Sequence, residues 1–339
     1  MEAINSQMSE ARIPRLGSLV RGMLTPAEMQ ILGAIVVLAV SFSISFPESF
    51  ASSTTLTNMA RVAGILAVVS IGQTFALIVG GFDISVAAVM GLASVVAALL
   101  MKTGMDVSLC IAVALLVGAL VGLLNGIGVA IFRVTPFVMT LGMMTAVGGL
   151  SNQLANGGTI SGLPRALSMF GRSNWGVLPS AACIALLALV AAWFLLHRTR
   201  AGLYIFSIGG SRETSKLAGV SVAAYELLAY VMCSLLAALA GVMLTARISV
   251  AQGSLGQGYE LLSIATSVIG GVLIGGGSGR LTGVVLGVLF ITVLTTGLDI
   301  AGVNPFMQQI ATGVVLVVAV IVSKARTGGL LSLLRVLTR

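Results

Sequence analysis

The chain offers few side chains from which chemistry could be built. Its one histidine, His197, stands beside Arg198 in a basic stretch. That is the setting of a solvated loop residue more than of a ligand or a general base. Cys110, Cys183 and Cys233 lie far apart inside apolar runs, with no Cys-x-x-Cys pair. Neither a zinc site nor a disulfide framework is indicated. No Gly-x-x-x-x-Gly-Lys-Ser/Thr stretch is present, so the chain has no phosphate-binding loop. No cofactor of its own is expected, and any ATP and Mg would sit on another subunit. What remains is a set of polar groups stranded in apolar sequence. Asp83 stands at a Gly-Gly-Phe-Asp-Ile-Ser break followed by an apolar run. Its carboxylate could cap the next helix by accepting from the first amides, or serve as a gate or solute contact. Glu260, near Arg247, opens a run at Gly-Tyr-Glu-Leu-Leu. It reads as a carboxylate favoured by the helix dipole, or as half of an external ion pair. Gln73, Asn125, Thr140, Asn152 and Thr266 could bond neighbouring helices or meet a polyhydroxylated solute. Aromatic residues make up only 5%, so an extensive stacking platform is not expected. A low-affinity pathway fits better, with tight capture left to a separate protein.

The elements that hold these residues follow from composition. Of 339 residues, 58% are hydrophobic and 8% charged, against about 25% charged in a soluble domain. Mean hydropathy is +1.11. A water-soluble globule cannot hide that much apolar surface. The formal charge of +8 could suggest nucleic acid, but the basic residues lie between apolar runs and read as topology signals. No nucleic-acid partner is expected. The expected class is an all-α polytopic membrane protein with about ten transmembrane helices. Ten runs long enough to span a bilayer lie roughly at 27–46, 61–80, 84–101, 107–132, 136–155, 176–196, 223–246, 260–276, 281–298 and 305–323. Pro47, Gly80-Gly81, Thr135-Pro136, Gly157-Gly158, Gly209-Gly210 and Gly275-Gly276-Gly277 separate them.

Ten spans put both termini on one side. With both inside, thirteen of the 18 Lys and Arg residues fall in cytoplasmic segments and five outside. The basic bias therefore favours an N-in, C-in arrangement. The first residues, with Arg12, Arg15 and Arg21 but no cleavage signal after the first long run, read as an uncleaved tail. Leu16 to Leu24 and the piece from Leu330 to Arg339 are expected to lie along the membrane surface. Gly118, Gly122 and Gly126 repeat every four residues, as Gly283 and Gly287 do, which suits close helix approach in lipid. Gln73 to Gly91 and Ile269 to Gly287 share a weak pattern of helix, glycine break, helix, an expected internal repeat.

Two connecting segments are long enough to have a job. The external one, 156–175, holds Arg165 and Arg172. The internal one, 197–222, ends in Gly-Gly-Ser-Arg-Glu-Thr-Ser-Lys-Leu-Ala-Gly-Val. Ser211 can cap a short helix there, although Thr214 is a poorer capping-box partner than Glu or Gln. Leu217, Ala218 and Val220 supply a small apolar face, and Arg212, Glu213 and Lys216 supply charge. Such a helix suits docking in a partner's groove, or is an ordinary solvated loop.

Four stretches in this order resemble the membrane permease subunits of bacterial ABC importers for sugars, the ribose-type family. They are GGFDISVA (80–87), HRTRAGLYIFSIGGSRETSKLAGV (197–220), ARISVAQGSLGQGYELLSIA (246–265) and IGGVLIGGGSGRLTGVVLG (269–287). Phe82, Ala87 and Ser211 stand where the family usually has Ile, Gly and Asn. The resemblance implies an ABC importer permease fold in the bacterial inner membrane. It covers about Phe46 to Lys324; the apolar runs divide the chain into a tail over 1–26, a transmembrane permease domain over 27–324 with its coupling segment at 197–222, and a tail over 325–339. It implies a second permease copy or paralogue, a cytoplasmic ABC ATPase and a periplasmic or lipid-anchored solute-binding protein. The ATPase contact would be Gly210, Ser211, Arg212, Glu213, Lys216, Leu217, Ala218, Gly219 and Val220. Gln73, Asp83, Ser85, Asn125, Thr140 and Thr266 are candidates for the pathway or its gate. Arg165, Arg172, Arg247 and Glu260 are candidates for the binding-protein contact. The expected cargo is a sugar or sugar-like polyol. Alternatives are a nucleoside or branched-chain amino acid permease, or an ion-coupled carrier.

Overall fold

A computed structural model of the chain describes residues 25–328. The surface-lying pieces expected at 16–24 and 330–339 fall outside the described residues, as does most of both expected tails. In chain order the elements are α1 (Pro26–Ser45), α2 (Pro47–Phe50), α3 (Ser53–Ile78), α4 (Val86–Lys102), α5 (Val107–Ala130) and α6 (Pro136–Leu154). Then come α7 (Arg165–Arg172), β1 (Asn174–Trp175), β2 (Leu178–Pro179), α8 (Ser180–Arg198), α9 (Arg200–Gly210) and α10 (Arg212–Leu217). The chain continues with α11 (Val222–Ile248), α12 (Tyr259–Ile269), α13 (Leu281–Ile300) and α14 (Pro305–Gly328). Each apolar run of the sequence holds one of these helices. Six of them, α1, α3, α5, α8, α11 and α13, are long and apolar enough to cross a membrane.

Local chemistry explains where the helices start and stop. α3 begins eight residues before the apolar run, because Ser52 Oγ accepts from the Thr55 amide at 3.2 Å and caps a polar first turn. Asp106 caps α5 by accepting from the amides of Ser108 and Leu109. Thr25 and Glu28 form a reciprocal capping box at the start of α1. α12 stops at Ile269, short of its apolar run, because Gly271 adopts a left-handed backbone with φ of +88°. Its 11 residues cover about 16 Å, roughly half the hydrocarbon thickness.

α11 is the centre of the bundle, with α3, α4 and α5 around it. α5 lies closest, and its glycine stripe is the reason. Gly118, Gly122 and Gly126 face Ser234 and Ala238, Tyr230 and Val231, and Leu227 of α11. A methyl on Gly122 would stand 2.6 Å from the Tyr230 carbonyl oxygen. Gly283 and Gly287 of α13 likewise lie against the Gly270 and Thr266 carbonyls. The second half of α3, from Gly64 to Ile78, is buried on nearly all sides. α1 stands outside this core and is tied to α13 by Glu28, which accepts from Thr282 Oγ1 at 2.5 Å and pairs with Arg280 at 3.1 Å. Outer faces of α1, α5 and α8 expose Val37, Ile44, Leu116 and Leu187. An apolar rim of this kind suits lipid, not water.

The two connecting segments are more ordered than loops. Segment 156–175 contains α7 and the first strand of a small hairpin. Segment 197–222 holds two helices, and the longer, α9, was not foreseen. Thr199 Oγ1 caps it at the Gly202 amide, and Ile205 and Ile208 bury its inner face.

Candidate functional site

The break between α3 and α4 folds around Asp83, which is fully buried. A carboxylate in that position must be matched by donors. Oδ1 accepts from the Ser85 amide at 2.8 Å and from Ser85 Oγ at 2.6 Å. Oδ2 accepts from Asn125 Nδ2 of α5 and Ser234 Oγ of α11, each at 3.2 Å. Asn125 Nδ2 also reaches Ser85 Oγ at 2.9 Å. Gln73 of α3 grips the same residue by its backbone: its amide group donates to the Asp83 carbonyl and its oxygen accepts the Asp83 amide, both at 3.0 Å. α4 carries no side-chain cap; Asp83 instead closes the turn at Ser85 and ties α3, α5 and α11 to one loop. Gln73, Asp83, Ser85 and Asn125 come together here. Thr140 and Thr266 do not. Thr140 turns back to the Pro136 carbonyl of its own helix, and Thr266 joins Ser70 in a hydroxyl seam between α3 and α12.

Three glycine breaks meet beside this loop. The Gly277 amide donates to the Ile78 carbonyl at 2.8 Å. Gly276 lies against Gly80 and Gly209, and Gly277 lies against Gly209 and Gly210. Backbone touches backbone at this junction, so a side chain at Gly209, Gly276 or Gly277 would push the segments apart. The two breaks of the expected repeat are thus in mutual contact, and the hinge between α9 and α10 sits on both.

From that hinge, α10 projects outward. Ser211 Oγ accepts from the Thr214 amide at 3.3 Å and donates to Thr214 Oγ1, the cap its sequence suggested. Ser215 is buried and shares a hydrogen bond with Ser207 of α9. Glu213, Lys216, Ala218 and Gly219 are exposed, and Leu217 is 89% exposed. Arg212 turns inward instead, pairing with Glu226 of α11 at 2.6 Å. Val220 is half-buried and packs on the core.

The other group of candidates gathers elsewhere. Arg172 donates to the Arg247 carbonyl and Ser249 Oγ, and Arg61 reaches the Arg172 carbonyl and Asn174. Arg165 starts α7, the helix that Arg172 ends. Glu260 accepts from the Gly258 amide at the start of its own helix, the arrangement a helix dipole favours. Among the described residues, no group of His, Cys, Asp or Glu could hold a metal ion. Sequence reasoning missed Glu226, Tyr230 and Ser234. Their spacing of four residues on one run was a signal that they share a face of α11.

Residues 55–320 match a family model described as the permease component of the branched-chain amino acid transport system. The chain belongs to this family. The permease is 34% identical over 303 residues to the ribose import permease protein RbsC of Escherichia coli K12, covering 88% of this chain and 94% of that protein. It is 35% identical over 304 residues to RbsC of Bacillus subtilis, with 88% and 94% covered. It is 35% identical over 309 residues to the galactose/methyl galactoside import permease protein MglC of Salmonella typhimurium, with 85% and 92% covered. No solved structure matches it. The permease is a multi-pass inner-membrane transport component, not an enzyme.

Proposed function

We propose that this permease carries a sugar or sugar-like polyol inward as the membrane-spanning subunit of an ATP-driven importer. The observation that carries this reading is its similarity, over nearly the full length, to permeases named for ribose and galactose import. A second copy or a paralogue completes the pathway. A separate cytoplasmic ATPase holds ATP and Mg, and a periplasmic or lipid-anchored binding protein delivers the solute. Ten helices over ten apolar runs, with the basic bias of their connections, support ten spans with both termini inside.

The mechanical part is the segment from Gly209 to Val220. Glu213, Lys216, Leu217, Ala218 and Gly219 form the face offered to the ATPase, while Gly210 and Ser211 act as its hinge. Arg212 is the tether to α11 rather than part of the docking face. An ATPase that binds this face with different affinity in its two nucleotide states shifts the permease between its own states. The hinge rests on both glycine breaks, so its movement reaches the loop held by Gln73, Asp83, Ser85 and Asn125. That loop is the proposed gate. Thr140 and Thr266 serve helix packing. On the opposite face, Arg165, Arg172 and Arg247 present positive charge to the binding protein.

Proteoliposomes holding the permease with the ATPase and binding protein encoded beside it provide the test. ATP-dependent uptake of labelled D-ribose or D-galactose is expected. Uptake of leucine instead would favour the amino acid reading that the family description suggests. Uptake without the ATPase, driven by a proton or sodium gradient, would defeat both.

A further inference from the structure

One buried polar group takes no part in the network around Asp83. Tyr230 is fully buried, and its hydroxyl has no hydrogen-bond partner among the described residues. A buried group left unpaired costs on the order of 1–3 kcal/mol, so an unfilled phenol in the centre of the bundle asks for a ligand. The hydroxyl lies against Gly81 of the break, where a methyl group would collide with it. Tyr230 also lines a cavity of about 410 Å³. The cavity's other walls are the break at Gly80 and Gly81, the turn from Arg133 to Pro136, the hinge from Gly209 to Arg212, and Glu226. Glu226 gives Oε2 to Arg212, and its Oε1 makes no hydrogen bond. Arg133 adds a second guanidinium.

We infer that this cavity is the last station of the solute on the side of the coupling segment, a site for a neutral polyhydroxyl molecule. The inference rests on the proposed sugar import. A carboxylate accepts from hydroxyls, a guanidinium donates to them, and a phenol does both, so each group finds a partner on a polyol. Glu226 and Arg212 balance each other as a pair, and the charged lining disfavours an apolar guest. With a volume of about 410 Å³, the space admits a hexose together with several waters. The site touches the break that carries Asp83 and the hinge of α10 at once. Occupancy is therefore sensed where the ATPase acts, and weak binding lets the solute leave.

The test uses the purified full-length permease in nanodiscs, with D-ribose and D-galactose as probes and saturation-transfer NMR as the readout. The wild type is expected to bind one of them. Tyr230→Phe, which keeps the ring and removes the hydroxyl, should weaken that binding about three- to tenfold, the worth of one hydrogen bond. Its melting temperature should be unchanged or higher, because an unpaired hydroxyl is gone. Arg133→Gln, a change at an exposed position, should weaken binding with no change in melting. Unaltered binding in both variants overturns the site. A wild type that binds neither sugar while the complete transporter imports one also overturns it, and leaves the sugar reading standing. A complete transporter that imports neither sugar overturns both.

Discussion

Asp83 shows how one residue can hold several helices. Its two oxygens take four hydrogen bonds from Ser85, Asn125 and Ser234, and its backbone takes two more from Gln73. Removing the carboxylate leaves the Asn125 and Ser234 donors without their acceptor in the centre of the bundle. Asp83→Ala should therefore destabilise the permease by about 3 kcal/mol. Asp83→Asn keeps the shape and one acceptor oxygen, and should cost about 1 kcal/mol. Thermal melting of the purified variants checks both values. Equal melting of Asp83→Ala and wild type would show that the network does not hold the fold. Arg212 and Glu226 make a second pairing of consequence. Arg212 is partly exposed while Glu226 is not, so Arg212→Ala strands a carboxylate next to the hinge. A double-mutant cycle with Glu226→Gln should give a coupling of about 1 kcal/mol in stability, together with a fall in ATP-driven uptake beyond what that loss explains.

At the scale of elements, the junction of Gly80, Gly209, Gly276 and Gly277 decides what moves with what. A Cβ on Gly209 would run into the Ile78 carbonyl and the Gly277 amide, neither of which is a flexible side-chain end. Gly209→Val is expected to lower the yield of folded protein sharply in the membrane fraction. Leu217→Asp is the contrasting change. Leu217 is exposed and packs on nothing, so this variant should insert and melt as the wild type does while losing co-purification with the ATPase and at least tenfold of uptake. Normal uptake with Leu217→Asp would remove the docking role from α10. The contrast also shows what the sequence could reveal. Each apolar run located a helix, and the Ser211 cap placed α10, because hydropathy and capping are local properties. α9 was missed because Gly202 and the Gly209-Gly210 pair made its apolar residues look like a loop. The glycine pairs were visible as turns, but nothing local says that three of them share one junction. The same is true of Asp83 and Ser234, which lie 151 positions apart and meet only when α11 packs between α3 and α5.

At the scale of the molecule, the crossing pattern is the feature on which coupling depends. α12 is long enough for about half the hydrocarbon depth, and irregular backbone follows it from 270 to 280. Such backbone survives at membrane depth only where protein covers it. Val272 is fully buried and Gly270 rests on Gly283, which meets that condition. If every apolar run crosses, single cysteines should alternate in their accessibility. In a Cys183→Ser background, Met105→Cys, Val177→Cys and Ala301→Cys should react with a membrane-impermeant maleimide on intact cells. Phe132→Cys, Leu217→Cys and Ile274→Cys should react only after permeabilisation. All six positions are exposed, so a failure to react reports the side of the membrane and not burial. Met105 and Val177 on one side with Phe132 on the other requires that α5 and α6 both cross. Ile274 on the side opposite Leu217 would show that only one of α11 and the short α12 with its irregular extension crosses. Labelling of Leu217→Cys on intact cells would put α10 outside, beyond reach of any cytoplasmic ATPase. The glycine junction would then couple the gate to the wrong side of the membrane.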